Sequence, residues 1–360
     1  MKILIVSGCY YPELTPRAFR TTELAKAFVR LGNDVTVIIP DDYSQLDRTI
    51  EGYPVKFKWY HRNADNLMKG GDIVSRIINR GLYQFLNFPN CRMYPAVKKV
   101  LKDESGYDLL LSIAVPHEIH WAVGKLYAQG HRIAKTWIAD CGDPWMLCQS
   151  MNFKHPSYFK HYETRWCQLC NYITVPTDES YKGYYPEFRD KIKVIPQAFD
   201  FSEVKTEEYV PNEVPTFAFS GSFIPGRRDP RPFIDYLNSK GIDYRFVIYT
   251  KQSEYFTQYQ SRLGKQIIIK DYIPRLDLLR ELSKMDFLVN LENGVAAQTP
   301  SKLIDYALTG RPILSVNSNN LDTAKIDAFL TGDYTQQRAV DVSRYDIKVV
   351  AKQFLELTKS

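Results

Sequence analysis

The sequence predicts an α/β protein with two doubly wound domains, and three observations support this prediction. The chain has 360 residues, which is long for one hydrophobic core and suits two domains of ordinary size. Residues 2–40 form a strand–helix–strand pattern, the usual opening of a doubly wound parallel sheet. A second strand–helix alternation starts at Thr216, after a polar stretch punctuated by prolines.

In the first half, short apolar runs alternate with amphipathic stretches. The predicted strands lie at 2–7, 34–40, 108–114, 134–139, 172–175 and 191–195. A helix that ends before Gly32 follows the first strand, and a helix that ends at Gln129 follows the strand at 108–114. Gly8 lets the chain turn tightly at the carboxyl end of the first strand, the edge at which such sheets bind ligands.

The second half repeats this alternation. The predicted strands lie at 216–221, 243–249, 266–270, 286–290 and 313–316. Asp229 and Pro230 begin a helix with a favourable cap, and a final helix spans 343–357. The expected division is an N-terminal domain at 1–204, a linker at 205–215, a C-terminal domain at 216–340 and a terminal helix at 341–360.

The composition excludes several classes of protein. Charged residues make up 24% and hydrophobic residues 44%, as in ordinary globular proteins. No apolar run is long enough to span a bilayer, and the N-terminal strand lacks a cleavage-like region, so we expect neither a membrane span nor a signal peptide. Six scattered cysteines favour reduced thiols in a cytoplasm. Cys167 and Cys170 have a metal-like spacing without a second pair, and we expect them to pack inward.

The stretch 299–316 has the chemistry of an anion site. Thr299 opens a polar loop, an amphipathic helix follows, and Gly310 ends that helix before a buried strand. Lys302 then lies in the first turn, where free backbone N–H groups and the positive end of the helix dipole favour a phosphate. Asp305, one turn further on, can accept two hydroxyl hydrogen bonds. A diphosphate with an attached ribose fits this layout, although an ordinary helix–strand unit is the alternative.

This stretch resembles the donor-sugar motif of family-4 glycosyltransferases, which have the GT-B fold. In that family a Ser/Thr-Lys-Leu-x-Glu-Tyr run, followed by Gly-x-Pro, binds the nucleotide of a nucleotide-sugar. Here Asp305 replaces the usual glutamate, and Ala297 stands where many members have a second glutamate. The resemblance implies two Rossmann-like domains facing a central cleft, with the final helix crossing back to the first domain.

Two further stretches resemble the same family. Gly221, Ser222, Arg228 and Pro230 match a Gly-Ser loop that precedes an Arg-x-Pro, and Ile273 lies where the family holds the nucleobase. The resemblance therefore implies donor contacts, some through the backbone, from Gly8, Gly221, Ser222, Arg228, Ile273, Thr299, Ser301, Lys302, Leu303 and Asp305. The family often has a Gly-Gly pair in the loop that follows Gly8, and Leu14-Thr15-Pro16-Arg17 stands there instead.

In the first half, polar groups follow two strands that are expected to be neighbours. His117 and His120 follow one strand, and Asp140 and Asp143 follow the next. One branch of the family has Ser-x-Pro-Pro/His and then Asp-x-Arg-Asp-Pro-Trp at these places, but Gly142 replaces the arginine here, so its role is lost or moved. The expected catalytic residues are Asp140, Asp143, His117, His120, Arg228 and Lys302. The expected acceptor-binding residues are Arg17, Arg20 and Trp145.

The implied function is a retaining, metal-independent transfer of a hexose from a nucleotide-sugar to a glycan or lipid-linked acceptor in cell-envelope polysaccharide synthesis. Arg228, Lys302 and Ser301 would stabilise the departing diphosphate, and no separate cofactor is expected. Two alternatives remain: a nucleotide-sugar 2-epimerase of the same fold, and a non-catalytic nucleotide-sugar binding protein.

The net charge of +6 is concentrated in one segment. Residues 56–102 contain ten lysines and arginines against two aspartates, a local net charge of +8, interleaved with aromatic residues. Apolar residues from Ile73 to Leu86 recur at helical spacing beside Arg76 and Arg80. Such a face can bind an anionic bilayer surface, so we expect a cytoplasmic protein that is peripheral on the inner face of the plasma membrane. A solvated helix face is the alternative, and no nucleic-acid-binding motif accompanies the charge.

Overall fold

The chain divides into two compact units in a computed structural model. The structure describes residues 1–13, 15–45, 53–62, 65–68, 71–147, 154–224, 226, 228–256, 259, 264–292 and 301–359, without the side chains of Gln45, Tyr255 and Ser301. The first unit comprises Met1–Phe199 and Tyr345–Ser360, and the second comprises Asp200–Arg344. Residues 205–215, which the sequence predicted as a linker, lie within the second unit. There the Tyr209 hydroxyl donates a hydrogen bond to Asp286 at 2.6 Å.

The first unit contains a seven-stranded parallel sheet. Its strands are β1 (Lys2–Ser7), β2 (Asp34–Pro40), β3 (Lys56–Tyr60), β4 (Tyr107–Ala114), β5 (Ala134–Cys141), β6 (Tyr172–Val175) and β7 (Ile192–Val194). Their order across the sheet is β3-β2-β1-β4-β5-β6-β7. The neighbouring positions of β1, β4 and β5 bring the ends of these three strands to one edge of the sheet.

One strand of this sheet was missed in the sequence. β3 alternates exposed lysines with half-buried or buried aromatic residues, as expected for an edge strand with one covered face. Its two lysines led us to assign it to the basic segment and to no strand.

The helices of the first unit are α1 (Pro16–Arg30), α2 (Ile73–Leu86), α3 (Met93–Leu101), α4 (Glu118–Ala128), α5 (Lys160–Leu169) and the C-terminal helix, which we name α10 (Ile347–Glu356). All of them except α2 contribute residues to the core layers on the two faces of the sheet. One core layer lies under α3, α4 and α5, and the other under α1 and α10. Phe354 of α10 contacts Phe28 of α1 edge to face, with ring centroids 6.5 Å apart. The C-terminal helix therefore completes the hydrophobic core of the first unit.

The second unit contains a five-stranded parallel sheet. Its strands are β8 (Thr216–Ser220), β9 (Arg245–Tyr249), β10 (Ile267–Lys270), β11 (Phe287–Leu291) and β12 (Ile313–Val316), in the order β10-β9-β8-β11-β12. Its helices are α6 (Arg231–Ser239), α7 (Arg275–Leu282), α8 (Ser301–Leu308) and α9 (Thr323–Leu330). Aromatic residues dominate one core layer, in which Phe217 stacks on Phe287 at 4.6 Å.

Two predictions drawn from composition can be compared with the described residues. Cys167 and Cys170 are buried and unpaired, as expected from the sequence. None of the helices in the described part of the chain is both long enough and apolar enough to cross a membrane.

Candidate functional site

In the second unit, Lys302 lies in the first turn of α8 with its ammonium group against the end of β8. Nζ lies 4.1 Å from the centroid of the Phe219 ring and 3.1 Å from the point that a Cβ on Gly221 would occupy. Nζ is buried and has no hydrogen-bond partner among the residues that the structure describes. Burial, assisted by the charge of Arg228, lowers the pKa of Lys302 to about 7. A buried, uncompensated ammonium indicates a place for an anion.

Arg228 reinforces this interpretation. It follows β8 in the loop that precedes α6, and its Nε is also buried without a partner in the described part of the chain. Lys302 and Arg228 thus place two positive charges at the end of one strand, where they repel each other. No described residue forms an ion pair with either of them. Gly221 lies beside them with φ of 136°, a backbone conformation that favours glycine. The arrangement is suited to a doubly charged ligand such as a diphosphate.

Asp305 has a protein partner that the sequence did not reveal. Its Oδ1 accepts hydrogen bonds from Arg275 Nη2 at 2.6 Å and from Nε at 2.9 Å. Burial raises the pKa of Asp305, and the Arg275 guanidinium opposes that rise. Arg275 begins α7 directly after Ile273 and Pro274, so this ion pair connects the predicted nucleobase turn to the predicted ribose-binding carboxylate. Oδ2 has no hydrogen bond to any described residue and can accept one from a ligand.

The other predicted donor residues lie in different environments. Leu303 is fully buried in the core, so any contact to a ligand would be through its backbone. Ser222 is exposed, and Ile273 is half-buried against the same core layer. Thr299 lies outside the described residues, as does the side chain of Ser301. Gly8 belongs to the first unit, where a Cβ would lie 2.4 Å from Pro116 Cδ, so its role there is close packing.

In the first unit, Asp140 is at the centre of a buried ion-pair network. Its carboxylate accepts hydrogen bonds from Arg20 at 2.9 and 3.2 Å, and from Thr174 Oγ1 at 2.7 Å. Although burial alone would raise it, the pKa of Asp140 is held below its ordinary value by the Arg20 guanidinium. The remaining N–H groups of Arg20 donate to the carbonyl oxygens of Ile195 and Pro196. Asp140 and Arg20, predicted as catalytic and acceptor-binding residues, therefore contact each other in the interior.

Arg17 occupies the space in front of Gly142. A Cβ at Gly142 would lie 2.8 Å from Arg17 Cζ, and Arg17 Nη1 is 3.4 Å from Asp140. The side chain of Arg17 is 17% exposed, so unlike Arg20 it remains accessible. The sequence indicated that the role of an arginine at position 142 is lost or moved. The guanidinium of Arg17 lies where a side chain at that position would begin.

His120 is a buried core residue. Trp137 Nε1 donates to Ser112 Oγ at 2.8 Å, and His120 Nδ1 is hydrogen-bonded to the same oxygen at 2.9 Å. His120 Nε2 is hydrogen-bonded to Cys141 Sγ at 3.3 Å. Burial lowers the pKa of His120, so the ring is neutral. Both ring nitrogens are therefore used inside the protein.

Three of these buried groups have the chemistry of metal ligands. Ligand atoms of His117, His120 and Cys141 lie within 4.8 Å of one another. Imidazole nitrogen and thiolate suit Zn²⁺. In the present arrangement two of them are already hydrogen-bonded to each other. The sequence predicted no metal, and this group is the place among the described residues where such an ion would bind.

His117, Asp143 and Trp145 line a cavity of about 260 Å³ at the ends of β4 and β5. The His117 ring stacks on Trp145, with centroids 5.9 Å apart, and burial lowers the pKa of His117 to about 4. The imidazole is therefore neutral near pH 7. The structure brings these three predicted residues together and excludes His120 from the cavity.

Comparisons with known proteins identify the fold. No protein-family model matches the sequence, and no curated protein matches it. The chain is similar to the lipopolysaccharide outer core galactosyltransferase WaaB in its apo form, with 13% identity over 99% of each chain and a TM-score of 0.57. It is also similar to the catalytic domain of starch synthase IV from Arabidopsis thaliana bound to ADP and acarbose, with 11% identity over 100% of this chain and 99% of that chain and a TM-score of 0.54.

A third similar structure is a putative UDP-N-acetylglucosamine 2-epimerase from Listeria monocytogenes, with 13% identity, coverage of 99% of this chain and 94% of that chain, and a TM-score of 0.52. At such low identity these likenesses show the fold alone. The prediction of two Rossmann-like α/β domains is confirmed.

Proposed function

We propose that this protein is a retaining glycosyltransferase of the family-4 type, which moves a hexose from a nucleotide-sugar to a glycan or lipid-linked acceptor of the cell envelope. The observation that carries the proposal is the pair of cationic side chains, Lys302 and Arg228, at the end of β8, each with a buried nitrogen atom. Neither Lys302 Nζ nor Arg228 Nε has a hydrogen-bond partner among the described residues. A diphosphate supplies the missing negative charge.

The chemistry follows from this charge arrangement. When the bond between the sugar and the diphosphate breaks, negative charge develops on the leaving oxygen. Lys302 and Arg228 stabilise that charge, and stabilisation of this kind is the largest single contribution in many enzymes. Because side chains supply both positive charges, we propose that the transfer needs no divalent metal. Asp305 Oδ2 accepts a ribose hydroxyl, and Arg275 holds the carboxylate in position.

The similar structures support this proposal. One similar protein is named a galactosyltransferase of the lipopolysaccharide outer core, and another was solved with ADP and acarbose. The structure of the putative 2-epimerase is nearly as similar, so the fold does not distinguish transfer from epimerisation. The epimerase and a non-catalytic nucleotide-sugar binding protein are the alternatives.

The three candidate functions predict different products from one experiment. The full chain is incubated with a panel of nucleotide-sugars, with and without EDTA, and the products are followed by NMR. We expect slow release of nucleoside diphosphate and a free sugar of retained configuration, because water replaces the absent acceptor. A 2-epimerised nucleotide-sugar would show an epimerase, and binding without any product would show a binding protein. Inhibition by EDTA would contradict the metal-independent mechanism.

The low pKa of Lys302 predicts that donor binding depends on pH. The free ammonium loses its proton as the pH rises through about 7, whereas a bound diphosphate favours the protonated form and raises the pKa. Affinity for a nucleotide-sugar should therefore fall steadily above pH 7, with proton uptake on binding. Calorimetry in buffers of different ionisation enthalpy measures this uptake. In a Lys302→Arg variant, which stays charged, the uptake should disappear; uptake of the same size would contradict the assignment.

We further propose that α2 binds the surface of an anionic membrane. Its large apolar side chains lie in solvent: Ile73 is 68% exposed, Ile77 65% and Phe85 60%. Ser75 is the residue of this helix that is buried. Arg76 is exposed on the same helix, within a segment whose net charge is +8. An exposed apolar stripe with flanking basic charge fits the boundary between headgroups and acyl chains, and would make this protein peripheral on the inner face of the plasma membrane.

Replacing Ile73 and Ile77 with aspartate should abolish most membrane association. The change removes two inserting side chains and adds charge that anionic headgroups repel, so we expect at least about a tenfold weaker partition into phosphatidylglycerol-rich vesicles. Vesicle flotation at low salt measures this partition. A Val349→Asp variant serves as control, because Val349 is 40% exposed on α10 and should leave partition unchanged. Failure of the unaltered protein to float with vesicles would end the membrane proposal.

A further inference from the structure

The cavity that His117 and Trp145 line contains polar groups that the proposed function has not used. Glu118, the first residue of α4, is fully buried, and its Oε2 has no hydrogen-bond partner among the described residues. Asn87, which caps the C-terminus of α2 in a left-handed conformation, is 2% exposed and donates from Nδ2 to Glu118 Oε1. The Oδ1 atom of Asn87 is also buried, with no partner in the part of the chain that the structure describes. Both residues line the cavity.

Buried polar atoms without partners are costly, because each has lost hydrogen bonds to water and gained none in return. Glu118 and Asn87, which are hydrogen-bonded to each other and each carry one such atom, both line the same cavity here. Glu118 can therefore offer a carboxyl group, and Asn87 an amide acceptor, to a ligand in the cavity. This pattern is expected of a site whose ligand supplies the missing hydrogen bonds.

The remaining walls specify the chemistry of that ligand. Trp145 and Tyr83 provide apolar aromatic surface, and Asn90 adds a further amide. The volume of 260 Å³ is slightly below the range of about 300–1,000 Å³ typical of pockets for drug-sized ligands, and suits one sugar ring. Aromatic surface combined with amide and carboxyl groups matches a pyranose, which has apolar faces and a rim of hydroxyl groups.

The charge of the cavity favours a neutral sugar. Glu118 and Asp143 place two carboxyl side chains among the described lining residues, and none of those residues is a lysine or an arginine. The carboxyl group of Asp143 lies at the exposed side of the cavity. With no cationic side chain among the described lining residues, a uronic acid or a phosphorylated sugar would meet only a carboxylate.

We propose that Glu118 and Asn87 bind the terminal, uncharged pyranose of the acceptor in this cavity, with Oε2 of Glu118 and Oδ1 of Asn87 hydrogen bonding to its hydroxyl groups. The identification of this sugar as the acceptor rests on the proposed transferase function; the binding of a neutral sugar does not. Because Tyr83 and Asn87 belong to α2 or its cap, the helix that we expect on the membrane also forms one wall of the cavity. A sugar linked to a lipid would be presented beside that wall.

Saturation-transfer-difference NMR with methyl pyranosides tests the proposal without any donor present. We expect the full chain to transfer saturation to neutral methyl pyranosides and not to methyl glucuronide. Glu118→Gln, which keeps an acceptor and a donor group, should reduce affinity by only a few-fold. Glu118→Leu removes both groups and should weaken binding by about tenfold or more, since one or two hydrogen bonds are lost and Asn87 loses its partner.

Glu163 provides the matched control. It is also fully buried, burial raises its pKa to about 7, and its Oε1 has no partner among the described residues, but it lies outside the cavity lining. Glu163→Leu should leave sugar binding unchanged. If Glu118→Leu does not fold, Asn90→Leu tests another wall of the cavity and should weaken binding by a few-fold.

Three outcomes would overturn the proposal: no saturation of any neutral pyranoside, preference for the glucuronide, or equal losses in the Glu118 and Glu163 variants. Nucleoside diphosphate affinity is measured on the same samples. Normal sugar binding without nucleotide binding would refute the transferase and leave the sugar site standing, whereas the reverse result would refute the sugar site alone.

Discussion

Replacing Lys302 with methionine should weaken the binding of a nucleoside diphosphate by roughly 10- to 100-fold. Hydrogen bonds to charged groups contribute about 1.5–3 kcal/mol, and the Lys302 ammonium is held at the site in a buried position without a competing partner among the described residues. Methionine has a similar length and keeps the apolar contact to Phe219 without the charge. Fluorescence or calorimetric titration with UDP and ADP measures the loss.

The stability of the same variant separates binding from folding. A buried lysine with a lowered pKa destabilises the folded state; this cost is complete below about pH 7 and disappears as the pH rises from there to the ordinary lysine pKa. Methionine removes this cost, so the melting temperature near pH 8 should not fall. Lys325→Met, at a half-buried position of α9, should change neither the nucleotide affinity nor the melting temperature. Unchanged nucleotide affinity in a folded Lys302→Met protein would contradict the assignment of the phosphate site.

Replacing Asp140 with asparagine should destabilise the first unit by about 3–5 kcal/mol. Removal of one partner of a buried ion pair leaves the other charge in the interior, and Arg20 is only 3% exposed. The hydrogen bond from Thr174 can be kept by the asparagine oxygen, so the loss reflects the charge. For a unit of this size the melting temperature should drop by roughly 10 °C, as differential scanning calorimetry would show.

Asp108→Asn is the control for this experiment. Asp108 pairs with Lys135 at 2.8 Å on the surface, where the lysine side chain is 82% exposed, and such pairs contribute about 0–1 kcal/mol. Asp140 should also contribute to acid stability. Because Arg20 lowers the pKa of Asp140, its contribution is complete above the ordinary aspartate pKa and is lost as the pH falls through the lowered value. Equal melting temperatures for both variants would show that the buried network is not needed for stability.

The fold was predictable because its signals are local. Apolar runs followed by glycine and amphipathic stretches marked both sheets, and the comparisons confirm two Rossmann-like domains. β3 was missed because lysines occupy its exposed face. Its alternation of exposed and buried side chains therefore looked like part of a basic segment. The final residues pack against the first unit because the side chains of α10, such as Phe354, complete its core.

The candidate sites were predictable only in part. The motif around Lys302 was visible because helix starts, glycines and charges are adjacent in sequence. The role of Arg275 was not visible, because Arg275 lies 30 residues before Asp305 and only the fold brings the two side chains together. Likewise, the sequence predicts a functional carboxylate at Asp140, and only the fold shows its buried ion pair with Arg20, 120 residues earlier. Glu118 had no sequence signal beyond its place at the start of a helix, because its importance comes from burial.

A crystal structure of the chain with a bound nucleoside diphosphate would test the phosphate site most directly. We expect the β-phosphate within hydrogen-bond distance of both Lys302 Nζ and the Arg228 guanidinium, and a ribose hydroxyl on Asp305 Oδ2. A nucleotide bound elsewhere, with the Lys302 ammonium still without a partner, would contradict the proposed donor site and the transferase function that depends on it.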